Sequence, residues 1–528
     1  MKGKRLISFT SVEKSQLIAS GFIGLLAAIP ISLMVPMYMD DFQRSLRGSF
    51  DWVSDGRPLA ELIYRIGIFD SPGTVLTSPL GTLLCIPGIC LSSLLICKIF
   101  DHRKPWAAAM AAVFIFIQPY FIENLSYSFD SPFMVFAILL SLCAAYLIVY
   151  IHNYLGALLA VFLSICSLSL YQPANVALWI PVVLFVLLRS SNHAEPQFSL
   201  ASISVWRFPH FLTRTRSINI VFSMVVCQFL SLLIYKIIVL GNVRLKVYAA
   251  KHAPMPNLPD LPNTVVDNII TYLRVLSHDW AHTKFGIVFF LFLLIFMLLA
   301  SLQSIYYRRN KHSRISAQWS SMLSFALTIS VLIFVFILSY GVGLILADPV
   351  FHPRTFIGIG VFMACISLSV SRDLRFDIGF NTAYRVSRSI RDLIVSISLI
   401  ATVWACVYIL FAYSNAYISQ QRLNEFYLSS IVSQIRDNGY GYQDIAGVMV
   451  HGQSPYSPVT LNTFRTLPYL DSFIQPIKSN WWAHIRLRHY GLIKLKRHKP
   501  IQQGETIFSD PLYDLSIVDR SLIVKFKN

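Results

Sequence analysis

Met39-Asp40-Asp41-Phe42-Gln43-Arg44, followed after a short gap by Asp55-Gly56-Arg57-Pro58-Leu59, stands directly behind a long apolar run at about 16–36. That juxtaposition decides how the chain is read, because two adjacent carboxylates and two arginines sit where a segment leaving a bilayer meets water. A carboxylate there can take the proton of an acceptor hydroxyl, and an arginine can hold a phosphate through two parallel hydrogen bonds. Charged residues flanking a span also serve simply as its solvated ends, so the hexapeptide alone leaves both readings open.

Composition settles the solvent. Of 528 residues, 55% are hydrophobic and 13% charged, with a mean hydropathy of +0.59, far outside the range of soluble domains. Several apolar runs approach or exceed the roughly 20 residues that cross a hydrocarbon core of about 30 Å as a helix. The expected spans lie at about 16–36, 76–98, 106–122, 132–151, 155–171, 174–189, 218–240, 285–305, 320–346, 355–370 and 393–413, roughly eleven in all. Lys2, Lys4, Arg5 and Lys14 give the first run the look of a signal peptide. No small-residue cleavage site follows it, and it reads as a retained helix.

Lysine and arginine are biased between alternate loops. About 20 fall in roughly 90 residues of one set (the amino terminus, Lys98–Lys104, Arg189–Arg216, Arg308–Arg314, Arg372–Arg391), against about 10 in roughly 105 residues of the other. The expected topology therefore has a cytoplasmic amino terminus, with the 37–75 loop and the tail from Asn415 outside. The net charge of +18 is spread over these loops without dense basic runs, which argues against a nucleic-acid partner. All eight cysteines fall in apolar runs with no CxxC or His/Cys spacing, so neither a disulfide framework nor a metal site is expected. No cofactor is called for; the sequence does not speak to divalent-cation dependence.

Within the first outer loop, Pro58 to Ile66 places Leu59, Leu62, Ile63 and Ile66 on one helical face and pairs Glu61 with Arg65 at i,i+4. This predicts a short amphipathic helix lying in the interface, its apolar side toward lipid or the bundle. Asn124-Leu125-Ser126 fits a glycosylation sequon, but in so short a turn the match reads as accidental. Glu123, Asp130, Lys236, Asp348, His352 and Arg354 all map to the outer ends of spans, while span centres carry essentially no charge. Charges near hydrocarbon are costly and usually functional, and an ion-coupled transporter would hold them near the midplane. After Asn415 no span follows, and strand-like stretches at Ile445–His451 and Ser521–Phe526 predict a small α/β domain. The fold expected is thus an all-α polytopic membrane bundle over 1–414 with a small extracytoplasmic α/β domain over 415–528.

The pattern Asp40-Asp41 with Arg44, Gly56-Arg57-Pro58-Leu59, Glu123-Asn124 through Tyr127 to Phe129-Asp130-Ser131, and Ser169-Leu170-Tyr171-Gln172-Pro173 resembles the bacterial GtrII-type O-antigen glucosyltransferases, of the broad GT-C class. The likeness is carried by about the first 190 residues; beyond them it rests on topology and on the outer tail. It implies transfer of a sugar, usually glucose, from a polyprenyl (undecaprenyl) phosphate carrier to a lipopolysaccharide O-antigen acceptor on the periplasmic face of the inner membrane. Asp40 or Asp41 would be the catalytic base. Arg44, Arg57, Glu123, Asp130, Tyr171, Gln172, Lys236, His352 and Arg354 are the candidates for binding substrate, with Arg354 expected on the carrier phosphate. Such a reaction needs a base and a cation but no separate general acid, since phosphate is already a good leaving group. A lipid-linked saccharide flippase or an O-antigen polymerase is the alternative.

Overall fold

The computed structural model describes residues 9–527 apart from 152, 189–215, 282, 310–316, 373–382, 442–443, 479–480, 491–495 and 498–504. Much of the basic excess behind the expected orientation, at 2–5, 189–214, 311–314 and 375, lies outside the described residues. Each apolar run expected to span is helical. Seven helices are long and apolar enough to cross a membrane: Ser11–Met34, Leu80–Ile99, Ser131–Tyr150, Ser217–Asn242, Lys284–Gln303, Met322–Ile345 and Ile390–Asp437. The other four, Pro105–Ile117, Tyr154–Leu170, Gln172–Leu188 and Ile357–Ser371, run only 10–17 residues, so the described residues give seven full-length spans where about eleven were expected.

Proline next to a polar residue explains two of the shortened helices. Pyrrolidine sterics push the preceding residue out of the helical region. Gln118, before Pro119, is extended with ψ 149°, and His352, before Pro353, likewise has ψ 149°. The first break opens a short helix, Phe121–Ser126, and the second a single turn, Pro353–Thr355, which pack on each other. A third break, Gln172–Asn175, packs on the kinked Leu338–Ile345 segment. Irregular backbone is tolerated at membrane depth only where protein or a polar cavity satisfies it. The interruptions therefore gather polar groups in one place.

Packing within the bundle is close. A Cβ on Gly81 would stand 2.0 Å from the Ser128 carbonyl oxygen, so only glycine lets Leu80–Ile99 approach the turn before Ser131–Tyr150. Phe114, Phe116 and Phe362 are fully enclosed, whereas Ile18, Phe22, Leu33 and Leu158 face outward, the inversion expected of a protein whose solvent is lipid. All eight cysteines are free.

Ala383–Asp437 is one helix of 55 residues, and the expected domain boundary at Asn415 falls inside it without a break. Ile409, Tyr413 and Tyr417 belong to the bundle core, while Tyr427, Leu428, Ile431 and Ile435 pack beneath a five-stranded sheet. Its strands are β1 (Gly447–His451), β2 (Lys496–Arg497), β3 (Glu505–Ser509), β4 (Tyr513–Val518) and β5 (Ser521–Phe526), in the order β2-β1-β5-β4-β3. β1 runs parallel to β2 and β5, and β4 is antiparallel to β3 and β5. Both expected strand stretches are present, joined directly as neighbours.

Candidate active site

The acidic pair opens a helix, Asp40–Arg47, whose N-terminal dipole favours carboxylates in the first turn. Successive helical positions point about 100° apart, and the two residues meet different surroundings. Asp41 is fully buried; its carboxylate accepts from the backbone N–H groups of Tyr38 (3.0 Å), Ser128 (2.8 Å) and Phe129 (3.4 Å). It fastens the first loop to the turn before Ser131–Tyr150. Burial pushes its carboxyl up to about 7 even though the Ser128 and Tyr38 N–H groups and Arg44 pull the other way. Asp40 is exposed and accepts no hydrogen bond among the described residues. Desolvation by the surrounding protein raises its carboxyl above the ordinary range, with Arg354 and then Arg44 opposing the rise. Of the two expected bases, Asp40 is the one whose oxygens meet no hydrogen-bond donor among the described residues, whereas the Asp41 carboxylate already accepts three backbone N–H groups.

Asp130 is the hub of the second layer. Arg44 donates to one carboxylate oxygen at 2.5 Å, and Trp52 Nε1 (2.6 Å) and Arg57 (3.4 Å) donate to the other. Burial opposes ionisation of Asp130, but Arg44, Arg57 and the Trp52 N–H outweigh it and hold the carboxyl below its usual range. The Arg44 guanidinium also lies over the Trp52 ring at 4.1 Å, and that of Arg57 over Tyr171 at 4.7 Å. Arg44 and Arg57 were expected on substrate; both are instead neutralised by Asp130, and Arg44 is buried.

Arg354 differs. Its backbone is clamped: the N–H donates to Glu123 (2.8 Å), and the carbonyl accepts from Asn124 Nδ2 (3.0 Å) and the Tyr171 hydroxyl (2.9 Å). Its guanidinium lies over the Tyr127 ring and donates to the Tyr127 hydroxyl, with no carboxylate in ion-pair range among the described residues. Glu123 and Tyr171 thus position Arg354 rather than offering their own polar atoms to a ligand. Burial raises the Glu123 carboxyl, and Arg354 counters it.

The remaining candidates divide. Gln172 Nε2 donates to the Asp55 and Gly56 carbonyls (3.3 and 3.4 Å) and to the Tyr235 hydroxyl (2.8 Å), which donates in turn to the Gly56 carbonyl at 2.8 Å. Gly56 has φ +76°, and a Cβ there would sit 2.9 Å from that hydroxyl, so glycine is required. Gln172 therefore holds the loop that carries Arg57. His352 is exposed beside Arg354; the surrounding protein and Arg354 lower its imidazole to about 4, leaving it neutral at pH 7. Lys236 is exposed, and among the described residues no hydrogen bond or ion pair joins its side chain to the cluster. Pro58–Gly67 is the expected helix, with Arg65 bound to Glu61 at 3.0 and 3.1 Å. Leu62, Ile63 and Ile66 are exposed while Ala60 and Glu61 are buried, leaving the apolar face open to lipid.

Sequence reasoning missed Trp52, and it quoted Tyr127 and Asn124 within the motif without giving either a role at the site. A tryptophan lodged between two charged motifs was the available signal for the first. Asn124 is fully buried and bonded to Arg354, which removes it as a glycosylation acceptor.

The residues from Asp40 to Arg354 all fall within 31–365, the stretch that matches the family described as glucosyl transferase GtrII. The chain belongs to that family. Over 526 residues it is also 25% identical to an uncharacterized 55.3 kDa protein in the gtrB 5′ region of Salmonella phage P22, covering 97% of this chain and 99% of that one. No solved structure matches it. The resemblance read from the first 190 residues is borne out, and the cluster belongs to a multi-pass membrane glycosyltransferase.

Proposed function

We propose that the protein transfers glucose from a polyprenyl-phosphate carrier to an O-antigen saccharide at the periplasmic face of the inner membrane, with Asp40 as base and Arg354 as the phosphate ligand. What supports this is that, among the described residues, Asp40 and Arg354 lack an opposite charge in ion-pair contact, while Arg44 and Arg57 share Asp130. In the proposed step Asp40 takes the acceptor hydroxyl proton as its oxygen bonds to the anomeric carbon. The bond from that carbon to the phosphate oxygen breaks, and the electron pair leaves with the phosphate. Arg354 then stabilises the added phosphate charge through its planar fork. The carrier's hydrocarbon chain would lie in lipid, where Leu62, Ile63 and Ile66 leave an apolar face. Neutral His352 at the rim is suited to bond a sugar hydroxyl without competing for the phosphate. The gtr-region relative supports an O-antigen acceptor.

The test is direct. Purified protein incubated with labelled polyprenyl-phosphate glucose and lipopolysaccharide should move label to the O-polysaccharide; transport of the lipid-linked sugar without a new glycosidic bond would favour the flippase reading.

A further inference from the structure

The helix Asp40–Arg47 is gripped from two sides. Around its axis Asp41 stands about 100° from Asp40 and Arg44 about 40°, and both are fixed by the 128–130 turn of the bundle. Phe42 stands about 200° from Asp40, on the far face, and there the carboxy-terminal domain takes hold. His489, at the end of the helix Trp481–His489, meets the Phe42 ring edge-on at 5.4 Å, and its Nε2 donates to the Phe42 carbonyl at 2.8 Å. A carbonyl can only accept, so this bond keeps a proton on Nε2. The Arg486 guanidinium covers the same ring at 5.1 Å. Gln475, Ile477 and Ala483 close on Met39 and Phe42, leaving room for about one water.

Met39 shows what the grip holds. It enters the helix at φ +42° and ψ −105°, a positive φ that residues with a side chain rarely adopt. Such backbone persists only where its surroundings over-determine it, and it gathers at functional sites. Here the supports come from both sides of the turn. The Tyr38 N–H donates to Asp41, and the Met37 carbonyl accepts from the Tyr417 hydroxyl, on the long helix that runs on into the domain. The strained residue stands directly before Asp40, so any rocking of the helix about Met39 swings the Asp40 carboxylate. The bundle anchors hold the near side, and the domain closes the far one. We propose that the carboxy-terminal domain is a clamp on this helix, with His489 the positioning residue that fixes, from behind, where the Asp40 carboxylate points. This rests on reading Asp40 as the base.

The test uses the full-length protein in detergent. His489→Phe keeps a ring on Phe42 without the donor, His489→Gln returns an N–H donor without the ring, and His489→Leu has neither. Amide hydrogen exchange across 40–47 should quicken about 2- to 10-fold in His489→Phe, the worth of one hydrogen bond, with no change in the spans. Turnover scaled to folded protein should fall about 10- to 100-fold, the cost of displacing a reacting group by about 1 Å, with both KM values unmoved. His489→Gln should recover exchange and turnover together, which lost packing alone would not allow. Wild-type exchange in a folded His489→Phe, or equal losses in His489→Phe and His489→Gln, overturns the clamp. If His489→Phe does not fold, His489→Leu is held to the same outcomes. Asp40→Asn separates the two readings: full activity there, with exchange still dependent on His489, sinks Asp40 as base and leaves the clamp on the helix standing. An inactive Asp40→Asn beside wild-type turnover in His489→Phe sinks the positioning role alone.

Discussion

Asp40→Asn and Asp41→Asn should fail in different ways, although they are adjacent and chemically identical changes. The Asp41 carboxylate accepts three backbone N–H groups with two oxygens. An asparagine keeps one oxygen and turns an NH2 toward at least one of those donors. One buried N–H then loses its acceptor, costing about 1–3 kcal/mol, together with the bonds that the carboxylate charge strengthened. The Asp40 carboxylate accepts nothing from the described residues, so the same change should leave stability within about 0.5 kcal/mol of wild type. Loss of a general base costs about 10²- to 10⁴-fold in rate. The assay pairs transfer of labelled glucose, scaled to folded protein, with thermal unfolding in the same detergent. Asp40→Asn should fold normally and lose turnover; Asp41→Asn should unfold earlier. A stable Asp41→Asn without turnover, beside an active Asp40→Asn, would refute the assignment and exchange the two roles.

Arg354→Ala should raise the apparent donor constant roughly 10- to 150-fold, with Arg354→Lys between, since lysine keeps the charge but not the fork. It should also shift the acid limb of the rate profile. Asp40 must be ionised to act, desolvation by the surrounding protein already lifts its carboxyl, and Arg354 is the leading charge opposing that rise, so activity in Arg354→Ala should appear only at higher pH than in wild type; an unmoved limb would separate the two residues. Asp130→Asn strands the buried Arg44 and the half-buried Arg57, which should cost about 3–5 kcal/mol in unfolding free energy, and wild-type stability there would show that the hub is not electrostatic. Undecaprenyl phosphate alone should raise the unfolding temperature, by the equivalent of about 2.7 kcal/mol at a hundredfold excess over its dissociation constant, and the rise should vanish in Arg354→Ala. A reporter active only in the cytoplasm, fused after Asn528, should be silent; activity would reverse the expected orientation.

What could be read from the sequence was whatever depends on neighbours along the chain. The apolar runs, the Pro58 helix with its Glu61–Arg65 pair, and the strands at Gly447–His451 and Ser521–Phe526 are all set by local periodicity. The candidate residues were legible as a population, because ionisable side chains beside hydrocarbon are too costly to be incidental. Their division of labour was not. Whether Asp40 or Asp41 is free depends on backbone N–H groups 87 and 88 residues away, and the clamp on Arg354 joins it to Glu123 across 231 positions. Arg44 and Arg354 look alike in sequence, each an arginine at the mouth of a span. Among the described residues, folding distinguishes them by bringing the Asp130 carboxylate to the first guanidinium and the Tyr127 hydroxyl to the second. In a low-dielectric site a fixed counter-charge on Arg354 would have to be displaced before a phosphate could bind, and that displacement would offset much of the attraction. The same reasoning applies to Asp40, since an acceptor already satisfied by backbone cannot take a proton without giving up those bonds. Asp130 thus takes up Arg44 and Arg57, while among the described residues Asp40 and Arg354 meet no opposite charge in ion-pair range, which under the proposed mechanism leaves both available to substrate.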